Sequence, residues 1–176
     1  MFANSNKILN GAMIIALLFI LSSCTNSKQT TINTSETIDN DSLAVYLERG
    51  VCFGRCPVYS ISIFRSGYVI YEGKANVVNI GSFSAQLDEK ILDRIFNKAD
   101  ETGYWSLEKE YINPHLTDFP TIRSTINNGN NKNQVTRFTE SPPKNLLEIE
   151  EYIDSFFESG VEWKSLNTNN SESGQD

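Results

Sequence analysis

The chain is poor in the residues that most chemistry needs. It has one histidine, His115, and three cysteines, Cys24, Cys52 and Cys56. It contains no Gly-x-Ser-x-Gly turn, no phosphate-cradling glycine loop and no His-Glu-x-x-His helix, so the sequence implies neither an assembled catalytic motif nor a cofactor. Cations are in deficit as well. Fifteen Lys and Arg against 22 Asp and Glu give a net charge of −7, which argues against a nucleic-acid partner, because that affinity rests on clustered Lys and Arg. Long apolar runs are missing too. The run from Gly11 to Leu21 reaches only roughly 17 Å of a ~30 Å hydrocarbon core, too short for a membrane-spanning helix.

With 39% hydrophobic and 11% aromatic residues the chain can bury one real core, so wholesale disorder and a collagen-like fibre are excluded. Lys7 followed by the Gly11 to Leu21 run reads as a secretory signal over residues 1–23, ending in Leu21-Ser22-Ser23-Cys24. That ending resembles the lipobox of bacterial lipoproteins. The resemblance implies cleavage before Cys24, with acylation of its thiol and of the new amine. Removing residues 1–23 takes Lys7 with it and moves the net charge from −7 to −8. Two or three acyl chains anchor far more firmly than one. The expectation is therefore a lipid-anchored envelope protein, and by resemblance to lipoprotein sorting rules the absence of Asp directly after Cys24 favours the outer membrane. Residues 24–42 then form the lipidated Cys and a Ser/Thr/Asn-rich tether of about 25 Å reach. Residues 165–176 form a polar tail, and the folded domain is expected over residues 43–164.

Within that domain, Leu43, Val45 and Leu47 alternate with Ala44, Tyr46 and Glu48, the period of a half-buried strand. Val58 to Arg65 and Tyr68 to Lys74 flank Ser66-Gly67 and read as a hairpin, and Val77 to Ala85 reads as a further strand that Gly81 weakens. From Leu87 the spacing becomes helical through Ile91, Leu92, Ile95, Phe96 and Ala99, with Asp88 as cap and Gly103 as stop. After a long loop, Thr121 to Asn127 and Asn133 to Thr139 flank Asn128-Gly129 as a second hairpin. Pro142-Pro143 then opens a helix with Leu146, Ile149, Ile153, Phe156 and Phe157 on one face, and Glu148, Glu150 and Glu151 assigned to its solvated face. The order ββββ-α-ββ-α predicts an α+β fold: an antiparallel sheet of about six strands with two helices packed on one face.

Cys52 and Cys56, in Cys52-Phe53-Gly54-Arg55-Cys56-Pro57, carry the most distinctive chemistry. On the exported side of a membrane, thiols tend to oxidise, and a disulfide here would pin the loop between the first two strands, worth about 2 kcal/mol. The alternative is copper binding or thiol redox, with Cys52, Cys56 and His115 as metal ligands, since Cys-x-x-x-Cys-Pro also occurs in Sco-type copper chaperones. Against it, Cys56-Pro57 runs into a strand and not into a helix whose N-terminus would lower a thiol pKa. His115 and Asp118 in the 104–120 loop could support acid–base chemistry, but no nucleophile accompanies them. Asp118, before Phe119-Pro120, reads better as a hydrogen-bonding residue at the entrance of the next strand.

Taken together, Cys52-Phe53-Gly54-Arg55-Cys56-Pro57-Val58-Tyr59, then Gly67 to Gly73 in a G-x-x-x-Y-x-G pattern, then Asp118-Phe119-Pro120, resemble a family of uncharacterised bacterial domains, often lipoproteins. The signature is C-F-G-x-C-P-x-Y followed by D-x-P. The resemblance covers about Leu43 to Trp163, implies no enzymatic role, and marks Phe53, Gly54, Pro57, Tyr59, Gly67, Gly73, Asp118 and Pro120 as signature positions. The functional expectation is a non-enzymatic, lipid-anchored module that engages an envelope protein or other envelope component. Tyr104, Trp105, Tyr111 and Phe119 are the aromatics proposed for that contact.

Overall fold

The computed structural model describes residues 42–88, 90–157 and 160–166. The expected signal segment, Cys24, nearly all of the tether and most of the polar tail lie outside the described residues. Among the described residues the fold is α+β, with eight strands instead of about six. In chain order they are β1 (Leu43–Arg49), β2 (Val58–Phe64), β3 (Tyr68–Ala75), β4 (Gly81–Gln86), β5 (Glu110–Ile112), β6 (Ile122–Asn127), β7 (Lys132–Phe138) and β8 (Lys164–Ser165). Helix α1 spans Lys90–Glu101 and α2 spans Lys144–Ser155. The sheet order is β5-β7-β6-β1-β2-β3-β4-β8, and it is mixed, because β5 runs parallel to β7 while the other neighbours are antiparallel.

Both unforeseen strands are short edge pieces. β5 interrupts the segment expected to be a long loop, and β8 pairs Lys164 and Ser165 with Ser84 and Phe83 at the start of the expected tail. Neither run is long enough to show a period. β4 begins at Gly81 and not at Val77, because residues 76–80 turn back over β3. Asn76 in that turn has a positive φ of 55°.

The register explains why one sheet face holds the core. Val135, Ser124, Leu47, Ile61, Tyr71 and Phe83 form one cross-strand row. The next row is Asn133, Ile126, Val45, Ile63, Val69 and Ala85. Most of these side chains are buried, and they pack with Leu92, Ile95 and Ala99 of α1 and Leu146, Ile149 and Ile153 of α2, so both helices cover this face. Asp88 caps α1 as expected, its carboxylate accepting the Lys90 N–H at 2.9 Å, and Gly103 ends it with a φ of 67°. Gly67 makes the β2–β3 turn with a φ of 78°, where a Cβ would stand 2.7 Å from the Leu87 carbonyl oxygen.

Candidate functional site

A third cross-strand row lies at the end of the same face and is polar. It runs Tyr111, Arg137, Ile122, Arg49, Tyr59, Gly73 and Gly81 from β5 to β4. Arg49 continues the inward alternation of Val45 and Leu47, so its guanidinium is carried under α2. There Asp154 meets it. Arg49 Nε donates to the Asp154 carboxylate at 2.9 Å, Nη2 donates to the same oxygen, and Tyr59 Oη donates to the other carboxylate oxygen at 2.6 Å. Arg49 Nε also donates to Tyr59 Oη at 3.0 Å. The Arg49 and Asp154 side chains are each 16% exposed, so this pair is largely withdrawn from water.

One helical turn earlier on α2, Glu150 is 1% exposed and accepts from Arg137 Nε and Nη2 at 2.8 Å through a single oxygen. Its other carboxylate oxygen is buried with no hydrogen-bond partner among the described residues. Burial pushes the Glu150 carboxyl above its usual range, against the hydrogen bond from Arg137. Burial likewise raises the Tyr59 phenol, reinforced by its hydrogen bond to Asp154. Burial alone would lower the Arg49 pKa, but the Asp154 carboxylate outweighs it and holds the cation. The assignment of Glu150 to the solvated face of the last helix is thus corrected, whereas Glu148 and Glu151 do face solvent.

The Arg49–Tyr59–Asp154 triad lies on the floor of a cleft of about 650 Å³, within the size range of small-ligand sites. Pro57, Tyr71, Val78, Asn79, Phe157, Val161 and Trp163 also line it. Gly73 makes part of this lining possible. A Cβ there would stand 1.8 Å from the Asn79 carbonyl oxygen, so only a residue without a side chain lets the 76–80 turn fold over β3. Tyr71 stacks on Tyr59 with ring centroids 5.8 Å apart and tilts against Trp163 at 5.3 Å.

The residues singled out from sequence are placed unevenly. Cys52 and Cys56 are joined as a disulfide, with Cα atoms 5.9 Å apart. Its loop is tied to the 76–80 turn by Asn76 Nδ2 donating to Cys56 O at 2.9 Å, and to the 113–120 segment by Phe53 N–H donating to Asp118 O at 3.3 Å. Asp118 thus accepts through its backbone carbonyl, and its carboxylate accepts from the Thr117 hydroxyl at 3.1 Å. His115 and Asp118 are exposed, and no group of three His, Cys, Asp or Glu among the described residues could share a metal ion. The proposed aromatic contact surface is not there. Tyr104 is fully buried with its hydroxyl 3.0 Å from Ser124 Oγ, and Trp105 and Tyr111 pack on the core, leaving only Phe119 exposed. Of the signature positions, Pro57, Tyr59 and Gly73 surround the cleft.

Sequence reasoning missed Arg49, Arg137, Glu150 and Asp154. The available signal was charge at positions whose period points inward: Arg49 after Val45 and Leu47, and Glu150 and Asp154 beside Ile149 and Ile153.

The architecture is a helix-covered α+β sheet with a polar-floored, aromatic-walled cleft at one end. The chain belongs to the family described as a domain of unknown function (DUF6438), whose family model matches residues 43–157. No curated protein matches it in sequence.

Proposed function

We propose that this chain is a lipid-anchored lipoprotein of the cell envelope whose α+β domain is a non-enzymatic binding module facing the periplasm or the surface. Acylated Cys24 holds it on the membrane, most naturally the outer one, and the cleft over Arg49, Tyr59 and Asp154 receives an envelope component. The observation that carries the binding assignment is the largely desolvated ionic triad at the base of an open, aromatic-walled cleft. Such a triad is expensive to build for stability alone, since well-packed apolar residues would serve at least as well. Support for the anchor comes from the sequence: a short apolar run, the Leu21-Ser22-Ser23-Cys24 ending and the polar segment behind it. The signature C-F-G-x-C-P-x-Y, read as that of lipoprotein-borne domains, points the same way, and two of its positions, Pro57 and Tyr59, border the cleft.

Fractionation of cells expressing the full chain tests the anchor. The wild-type protein is expected in the membrane fraction with acyl mass on Cys24, and Cys24→Ala in the soluble fraction. A wild-type chain that is soluble and unacylated overturns it.

A further inference from the structure

The apolar side chains left outside the core are gathered at one end of the sheet. Among the described residues, Val51, Phe53, Val78, Ile80, Ile112 and Phe119 are exposed, and all six lie beyond the row of Arg49, Tyr59, Gly73 and Ile122. Phe53 is 87% exposed and Val78 99%. The loops that carry them are tied together by the Asn76–Cys56 and Phe53–Asp118 hydrogen bonds and by Gly50 N–H donating to Thr121 O at 2.8 Å. Segments 50–57, 76–80 and 113–120 hold one cation and one carboxylate, Arg55 and Asp118, beside His115. Lys74 and Glu140 border them, Glu140 accepting from Asn113 Nδ2 at 3.1 Å. At the opposite end, the turn from Asn127 to Lys132 consists of asparagine, glycine and lysine, and Leu43 is the only exposed large apolar side chain there among the described residues. The domain is thus polar at one end of its strands and apolar at the other.

Separate, outstanding side chains on three loops suit a fluid phase. The boundary of headgroups and acyl chains closes around each of them, whereas a protein partner must offer a shaped pocket for each. The segment before the domain supplies the proximity. β1 begins at Leu43, at the polar end, and its seven residues carry the chain about 23 Å to Arg49, where the apolar end begins. By the sequence reading, residues 24–42 reach about 25 Å, as far as β1 is long. A bilayer that holds Cys24 is therefore within reach of the apolar loops and stands at high effective concentration to them. We propose that loops 50–57, 76–80 and 113–120 dock on that bilayer, with Phe53 and Val78 entering the boundary between headgroups and acyl chains. A net charge of −7 assigns the attraction to the apolar side chains and not to anionic lipid. The docking rests on the acylation of Cys24 proposed above.

Site-directed fluorescence of the full acylated chain tests it. With Cys24 acylated and Cys52 joined to Cys56, Val78→Cys carries the single free thiol, and Asn130→Cys places one in the polar turn as control. Each is labelled with a nitrobenzoxadiazole fluorophore and reconstituted into phosphatidylcholine vesicles, with or without a nitroxide on an upper acyl carbon. Flotation with the vesicles and acyl mass on Cys24 are read on the same samples. A label carried about 5–10 Å into the boundary lies beside the nitroxide, so quenching about threefold stronger at residue 78 than at residue 130 is expected. Adding Phe53→Ser and Ile80→Ser, both at exposed positions, should abolish that difference. Equal, weak quenching at both positions on floated vesicles overturns the docking and leaves the anchor standing. A label at residue 78 that is shielded from aqueous iodide yet not quenched by the nitroxide also overturns it, and assigns the apolar end to a second copy of the chain. A chain that neither floats nor carries acyl mass overturns the anchor and the docking with it.

Discussion

Arg49 of β1 and Asp154 of α2 are 105 residues apart in sequence and joined by two donors to one carboxylate oxygen. The same helix meets Arg137 with Glu150. Arg49 and Arg137 both face Ile122 across their strand pairings, so they stand two strands apart in one row. Two strand spacings are roughly 9.6 Å, whereas four helical residues rise about 6 Å. Long arginine side chains take up the difference, and the two ion pairs fix where α2 crosses the sheet.

Removing one partner should therefore hurt more than removing a neutral neighbour. Asp154→Asn leaves the Arg49 charge uncompensated in a largely desolvated place and is expected to lower stability by about 2–3 kcal/mol. Tyr59→Phe removes the hydrogen bond donated to Asp154 and the one accepted from Arg49 but leaves the ion pair itself, and should lower it by about 1.5 kcal/mol. Urea denaturation of both variants checks the ranking, and equal losses would mean that the ion pair is solvated.

Glu150 should give the fold an acid-side pH signature. Burial, its largest influence, raises its carboxyl above the ordinary value of 4.5, so the folded chain keeps that proton longer than the unfolded chain does. Stability from this group is thus full below about 4.5 and is lost as pH rises through the higher folded value. Glu150→Gln cannot ionise. The unfolding free energy of wild type minus that of the variant should fall as pH rises from about 4.5, measured by urea denaturation at a series of pH values. A difference that rises instead would show the Arg137 pair outweighing burial.

Gly73→Ala should act on the cleft through its wall. The added Cβ meets the Asn79 carbonyl oxygen at 1.8 Å, so the 76–80 turn must move. A loss of about 1–3 kcal/mol is expected, with changed emission from Trp163 in a Trp105→Phe background. Unchanged stability and emission would mean that the turn is free to shift.

The Cys52–Cys56 disulfide should behave as a staple. Intact mass of the purified chain is expected to show this pair unalkylated until reduced, and Cys52→Ser/Cys56→Ser to lower stability by about 2 kcal/mol. Free, rapidly alkylated thiols with stoichiometric Cu(I) uptake, lost in His115→Ala, would establish the copper reading instead.

The long strands, both helices, the Asp88 cap and the turns at Gly67 and Gly103 were legible in the sequence, because each is set by a local period or by a backbone need of a few residues. The Cys52–Cys56 closure was legible for the same reason, since its sequence separation is 4. Strands of three and two residues, β5 and β8, have no period, and the parallel pairing of β5 with β7 arises only once the sheet is assembled. Inward direction at Arg49, Glu150 and Asp154 follows from alternation and helical spacing, but charge there reads as solvated until a partner is known. Those partners come from other elements. The sequence by itself determined the long strands, the two helices and the α+β class through short-range geometry. Sheet order and the docking of α2 decided that Arg49, Tyr59 and Asp154 meet beneath an aromatic wall, because long-range pairing brings together groups that no local pattern relates.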